Sequence, residues 1–580
     1  MDQAATNNGS WDLEADVVVV GSGAAGLPAA IKAVEGGATV IVVEANYDVG
    51  GHAILSGGHM ALGGGTSAQK KYNIPDSPDT VFSDLTDWSI VQPNGWPDYR
   101  YNDRALMRAF ADHCALTYEF LLANGVMFKD IPPDNHGAST TGNSAPRENH
   151  AFWTKGAGLE SPNAAPGTGV IRPLEASARA KGVRFLLNYK MTSVIREPST
   201  PQTTGRVIGV TAQFTPRSMP GAAPLKSFRS DGNIERTKPA MNIRATKAVT
   251  IATGGSTSNS NFRRMFDPRW TAVIQCAGEP YSYQDASGEL AAMAVGASLW
   301  GLANQALENG ATVRTQRTLG TRYNYVAWKV ESPIFPLVRG TGFNVKDWQD
   351  VILVNQVGKR FYDETKGDPP HGNMGHQINP CTPNNYRNCE NIKFNPTKYN
   401  FFNAATAMNE YSEPPDYCAG PVWAIFDAGA VGREEWTVTP PYVDPRGYFF
   451  TANTIPELAA AIENEYQAKP MNGATLQATV ERYNSFVDSG EDIDFGKPAP
   501  KYKIQTAPFY AAWATPMVHD TRAGLRINAK CQVMDMNGQV IPGLYCAGES
   551  AGGFNQHGMG RCATQGYIAG MRAATEPRHE

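Results

Sequence analysis

Two groups of residues in this chain have the types and spacing that chemistry requires. Near the C-terminus, GESAGGFNQHGMGRCATQGYIAG carries His557 and Arg561 behind a run of glycines, and the upstream segment HDTRAGL supplies His519. An imidazole donates to a carbonyl or carboxylate oxygen and changes charge near neutral pH. A guanidinium grips a carboxylate through two parallel bonds. Together such groups would stabilise negative charge on a substrate oxygen. Near the N-terminus, Gly21, Gly23 and Gly26 form GxGxxG, with Glu44 further on. The first glycine permits a sharp turn, the second clears space for a pyrophosphate, and the third lets a helix pack close to a strand. Glu44 lies about 20 residues past the turn, where a carboxylate accepts ribose hydroxyls.

These residues need elements to hold them. Val17–Val20 is a short β-branched run suited to a buried parallel strand. Ala24 and Ala25 lead into a helix expected over Leu27–Val34, whose first amides point at the phosphates. Thr39–Val43 reads as the second strand, delivering Glu44 and Ala45. A purely structural glycine turn is the competing reading. The flanking strands and the terminal acid argue against it.

With 580 residues, 42% of them hydrophobic, the chain has material for large cores and more than one domain. Charged residues make up 18%, and Gly (57) and Pro (40) are plentiful, as in a compact, loop-rich enzyme. A net charge of −4 favours neither nucleic acid nor an anionic membrane. No apolar run approaches the roughly 18 residues that span a bilayer. The polar, acidic start MDQAATNNGSWDLEAD is unlike a secretory signal, and a cytoplasmic location is expected. The eight cysteines include no CxxC pair, so zinc-ribbon, thioredoxin-like and haem-attachment readings are poor and no metal site is expected. Cys381 and Cys389 would close a loop disulfide or remain buried thiols. Ser199–Lys238 reads as surface hairpins and loops, and Pro369–Pro415 as a long cap loop.

The stretch NYDVGGHAILSGGHMALGGG follows Glu44 directly. Its pairs Gly50-Gly51 and Gly57-Gly58, with His52 and Ser56 between them, suit a long cofactor running on from the pyrophosphate. Here the chain resembles the FAD-dependent fumarate reductase/succinate dehydrogenase flavoprotein superfamily, which includes the 3-ketosteroid dehydrogenases. The resemblance recurs in family order. AVTIATGG brings Ala252, Thr253 and Gly254 back to the adenine-ribose side. DASGELAAMAVGA resembles the helix that opens the cap, LVNQVGKRFYDE a cap hairpin with Gly358 in its turn, and VERYNSFVDSGEDIDF the helix before the return. PFYAAWATPMVHDTRAGLRIN resembles the returning strand, and LYCAGESAGG the last FAD-contacting loop, with Gly548 and Glu549.

The resemblance implies an α/β fold: a Rossmann-type FAD-binding domain built from both chain ends, residues 1–270 and 507–580, with an inserted α+β cap or substrate domain at 271–506. It implies non-covalent FAD, His52 being the better candidate than His59 should a covalent link exist. It also implies a helix from Thr564 whose first amides face the flavin, leaving Gln565 beside the ring without a specific role.

The family's shared reaction moves a hydride between flavin N5 and a carbon β to a carbonyl or carboxylate. In fumarate reductases one proton donor is an arginine four residues after the glutamate of the RF-containing hairpin; here that position is Asp368. The HPT substrate segment is also missing, and Trp300–Asn355 contains no histidine. His519 does match the family's histidine on the returning strand. Arg561, in a shortened and rewritten loop, and His557 are carbonyl- or carboxylate-binding candidates. Tyr281, Tyr283, Tyr323 and Tyr325 are candidate acids or bases for the α-carbon, with Tyr325 carried forward.

Three functions compete. The first is α,β-desaturation of a cyclic ketone or ketosteroid-like substrate, with electrons leaving to an external acceptor or O2. The second is an ene-reductase of an α,β-unsaturated carboxylate. The third is a non-catalytic FAD-binding protein.

Overall fold

The computed structural model describes residues 10–86, 103–135, 144–198, 203–219, 221–266, 271–300, 306–307, 318–323, 327–361, 363–365, 420–515, 517–521, 523–554 and 558–579. Its main sheet has eight strands: β1 (Leu13–Val20), β2 (Val40–Glu44), β3 (Arg184–Leu187), β4 (Tyr189–Arg196), β5 (Val207–Phe214), β6 (Ala240–Ile251), β7 (Gln532–Met534) and β8 (Val540–Cys546). The order is β7-β8-β6-β1-β2-β3, and β5 bridges β6 to β4. Pairings β8–β6, β6–β1, β1–β2 and β2–β3 are parallel.

Register explains where a ligand belongs. Val20 lies opposite Val43 on one side and Ile251 on the other, and Cys546 lies opposite Ile251. The C-terminal ends of four strands therefore align, and Gly21, Ala45, Ala252 and Ala547 leave from one edge. Ligands of open parallel sheets bind in the crevice beyond that edge. The chain ends do build this sheet together, since β7 and β8 come from the C-terminal segment.

Helix α1 (Gly26–Glu35) and the C-terminal helix α2 (Met559–Ala574) cover one face. They approach closely because α2 presents Gly566 and Gly570, where a Cβ would overlap the carbonyl oxygens of Ala25 and Ala29. α2 begins at Met559, ahead of the expected Thr564.

A second, antiparallel sheet orders Ile352–Val354, Trp423–Asp427, Phe509–Trp513 and Phe449–Ala452. Trp423 and Trp513 are fully buried in it, in an edge-to-face pair with centroids 5.5 Å apart. In the expected hairpin, Val354 bridges Arg360 and Gly358 has φ +85°. Arg360 binds Glu364 at 2.8 and 2.9 Å and Asp492 at 2.7 Å, and Lys497 lies 3.2 Å from Glu364. These charges hold the Glu364 carboxyl down at about 2, despite burial.

Two expectations need correcting. Phe509–Trp513, assigned to the returning flavin segment by a boundary at 507, is a strand of the second sheet. In the span 199–238, read as surface hairpins and loops, VIGVTAQF does form β5, one arm of an antiparallel hairpin with β4, but its Val207, Val210 and Ala212 are fully buried and not at the surface.

Candidate active site

The glycine turn is built as its spacing predicts. Gly21 has φ +100°, and a Cβ there would overlap the Ala252 carbonyl; a Cβ on Gly26 would overlap the Gly21 carbonyl. Gly23 differs. The nearest atom to its missing Cβ is the Gly50 oxygen at 3.8 Å, which leaves room for a ligand. Glu44 is buried, and its Oε2 accepts from the Ser22 amide at 2.9 Å and hydroxyl at 2.6 Å, while Oε1 accepts from the Asn46 amide at 2.8 Å. Burial pushes this carboxyl up, against those bonds. The Ser22 hydroxyl in turn accepts from the Gly50 amide at 3.1 Å, tying the first glycine turn to the second.

These residues open on a cavity of about 1090 Å3. Gly21, Gly23, Ala24, Ala25, Glu44 and Ala45 line it at the glycine turn. Gly51, His52, Ser56 and Gly57 continue the wall, and Ala252, Thr253, Gly254, Gly548, Glu549 and His519 close it from other elements. Gly26, Gly50 and Gly58 are one layer behind, shaping backbone. Gly50 has φ +124°, and a Cβ on Gly58 would press on Pro166 at 3.0 Å. A cradle open at Gly23, a carboxylate at the ribose position and a long cavity fit FAD. Ser22 through Ala25 and Glu44 would hold its pyrophosphate and ribose, and the Gly51–Gly57 wall the rest.

The C-terminal loop is tied to the segment that follows β6. Thr253 Oγ1 and Ser550 Oγ are 2.9 Å apart, Ser550 Oγ accepts from the Gly255 amide at 3.2 Å, and Gln284 donates to Glu549 at 2.6 Å. Contrary to expectation, Gln565 does have a specific role. Its Oε1 accepts from the Gly548 amide at 2.9 Å, fixing a residue with φ +78°. Thr564 is fully buried, its hydroxyl inside the protein and away from the cavity.

Arg561 is placed differently from the expectation of a substrate grip. It is fully buried and outside the cavity lining. Its guanidinium donates to the carbonyls of Ala551, Gly548 (3.2 Å), Phe554 (3.4 Å) and Thr521 (3.5 Å). It holds the flavin loop from behind. His557, Tyr325 and Asp368 lie outside the described residues, as do Cys381 and Cys389. The five described cysteines are buried.

His519 lies on the strand Met517–Asp520 and faces the cavity. Its ring meets His52 edge-to-face, centroids 5.7 Å apart at 70°. No sequence pattern linked these two. Nor did any flag His150, which lines the cavity across from His59. Of the tyrosines, Tyr281 is fully buried beside Tyr47, and burial holds its hydroxyl neutral. Tyr283 lines the cavity with Arg217 over its ring at 5.3 Å. Among the described residues there is no cluster able to hold a metal ion.

Residues 16–563 match the family described as FAD binding domain. The chain belongs to that family. It binds FAD and is an FAD-dependent oxidoreductase. It is 28% identical to a fumarate reductase (cytochrome) of Shewanella frigidimarina over 96% of this chain and 77% of that one. It is 26% identical to a urocanate reductase of Eggerthella lenta over 97% and 75%. A solved 3-ketosteroid Δ1-dehydrogenase from Sterolibacterium denitrificans shares the fold, with TM-score 0.59 and 18% identity over 97% of this chain and 99% of that one. Among the described residues no helix is long and apolar enough to cross a membrane.

Proposed function

We propose that this flavoenzyme desaturates the carbon–carbon bond α,β to the carbonyl of a cyclic, ketosteroid-like ketone and passes the electrons to an external acceptor or O2. The observation that carries this reading is the placement of Arg561. A carboxylate-processing site needs a guanidinium aimed at the substrate, and here it is spent on four backbone carbonyls. The cavity's arginine, Arg217, is likewise engaged, with the Pro280 and Tyr281 carbonyls at 2.7 Å. What faces the cavity is an imidazole pair, His519 and His52, beside apolar Ala61, Ala327 and Met559. Imidazoles donate to a ketone oxygen without the charge a carboxylate would demand.

Bound FAD supplies the hydride acceptor. The chain's own residues do the rest. His519 donates to the carbonyl oxygen and stabilises the charge that develops there as the α-proton leaves. His52 fixes the orientation of that ring. Apolar residues exclude water from the reacting carbons. The α-proton acceptor is drawn from the cap tyrosines, Tyr325 first.

A second reading, reduction of an unsaturated carboxylate, is favoured by Lys329 on the cavity wall and by the names of the reductases above. Dithionite-reduced holoprotein separates the two. Mixed anaerobically with cyclic enones and with unsaturated acids, it should be reoxidised by the enones; reoxidation by the acids alone overturns the ketone reading.

A further inference from the structure

On one side, the wall of the flavin cavity is a single short strand. Glu148–His150 pairs antiparallel with His59–Ala61, with His59 directly opposite His150. Glu148 and His150 line the flavin cavity, and the same two residues line a second cavity of about 310 Å3 on the other side. The exposed Lys71–Asp130 ion pair lines that second cavity at the protein surface.

Polar groups cross this wall in sequence. Asp134, 34% exposed, has Oδ2 2.8 Å from His150 Nε2, and His150 is only 13% exposed. The His150 and His59 rings meet edge-to-face with centroids 4.6 Å apart at 72°. Facing residues of an antiparallel pair are held this close by the ladder. His59 Nδ1 is 3.9 Å from Glu148 Oε1, a buried carboxylate able to stabilise a charged imidazole. The His59 ring is seated against the flavin turn itself: a Cβ on Gly57 would lie 2.8 Å from its Cδ2 and 3.1 Å from its Nε2. Gly57 therefore makes room for an imidazole as well as for a cofactor.

We infer that Asp134, His150 and His59 form a proton path between solvent and the flavin cavity. Two-electron oxidation or reduction of a flavin also moves a proton, and a bound cofactor fills the cavity through which bulk water would bring it. His59 takes up or gives a proton on the cavity side. His150 exchanges with it ring to ring, directly or through one water. Asp134 exchanges with solvent, and Glu148 steadies the cation formed in passing. No electrons travel this route, and each imidazole ends as it began. The inference rests on FAD binding and not on the choice of substrate.

The test uses reduced holoprotein oxidised with two equivalents of ferricyanide, which accepts electrons without protons, in weakly buffered solution containing phenol red. Flavin absorbance reports electrons and the dye reports the released proton. In the natural protein the two signals should coincide. In H150F the proton, held on His59, should lag electron loss by about tenfold or more. In H59A, which lacks that acceptor, flavin oxidation itself should slow by about the same factor because oxidised flavin does not keep the N5 proton, and added imidazole should restore the rate. D134N, altered outside the flavin cavity, should show a smaller lag and carries the test should the histidine variants lose FAD. Coincident signals in H150F, or a slowing of H59A that imidazole leaves untouched, would overturn the path. Because no organic substrate is present, a failed ketone reading leaves this result intact.

Discussion

The two ends of the main cavity are made of different material. At the glycine-turn end the geometry is set by glycine: Gly21 and Gly26 are where any side chain would strike a carbonyl oxygen, and Gly566 and Gly570 let α2 settle on α1. At the other end the surface is made of side chains, with His52 against His519 and His59 against His150. The two ends should therefore respond differently to change. A backbone cradle admits few substitutions because sterics forbid them, and it serves one cofactor. A side-chain wall tolerates replacement and sets which substrate reacts.

The largest effect is expected at Gly26. G26V should yield protein without FAD, read as the loss of visible absorbance relative to protein absorbance; a yellow G26V would show that the cradle is not steric. The next effect belongs to the other end. H519A should retain FAD and lose roughly a hundredfold in turnover of an active enone. Loss of FAD instead would place His519 with the cofactor.

Arg561 marks the boundary between the ends. As the brace of residues 548–554 it should behave like a cofactor-end residue. R561A should lose about 1–3 kcal/mol of stability, the cost of leaving buried carbonyls without a donor, and should weaken FAD retention. A variant with normal melting and normal FAD that fails only with substrate would return Arg561 to the reaction end.

A further expected effect is a pH slope. Glu289 is fully buried behind Thr253 and Ser550, and burial pushes its carboxyl up to about 8 from 4.5. The folded state then binds more protons than the unfolded one between those values, so this group's contribution favours folding below about 4.5 and is lost as pH rises towards 8. The natural protein should lose melting temperature relative to E289Q across that window. Parallel curves for the two would contradict it.

The cofactor end was legible because glycine's identity reports backbone geometry directly. GxGxxG and the terminal Glu44 fixed a turn, two strands and a helix, and the structure has all of them. The reaction end was only partly legible. An arginine's identity does not say which way its long side chain points, and Arg561 points into the loop. The meetings of His52 with His519 and of His59 with His150 join residues from distant segments, and no local period records them. Likewise the strand Phe509–Trp513 looks like any apolar run until its partner Trp423–Asp427 is known. The burial of β5 was hidden by the Pro- and Gly-rich sequence around it.

Whether the side-chain end processes a ketone can be read from one anaerobic titration. Oxidised holoprotein is titrated with saturated cyclic ketones, ketosteroids included, and the organic product is analysed by mass. The flavin should bleach, and the product should be two hydrogens lighter than the ketone added. Bleaching by saturated carboxylic acids, with none from any ketone, would contradict the ketone reading.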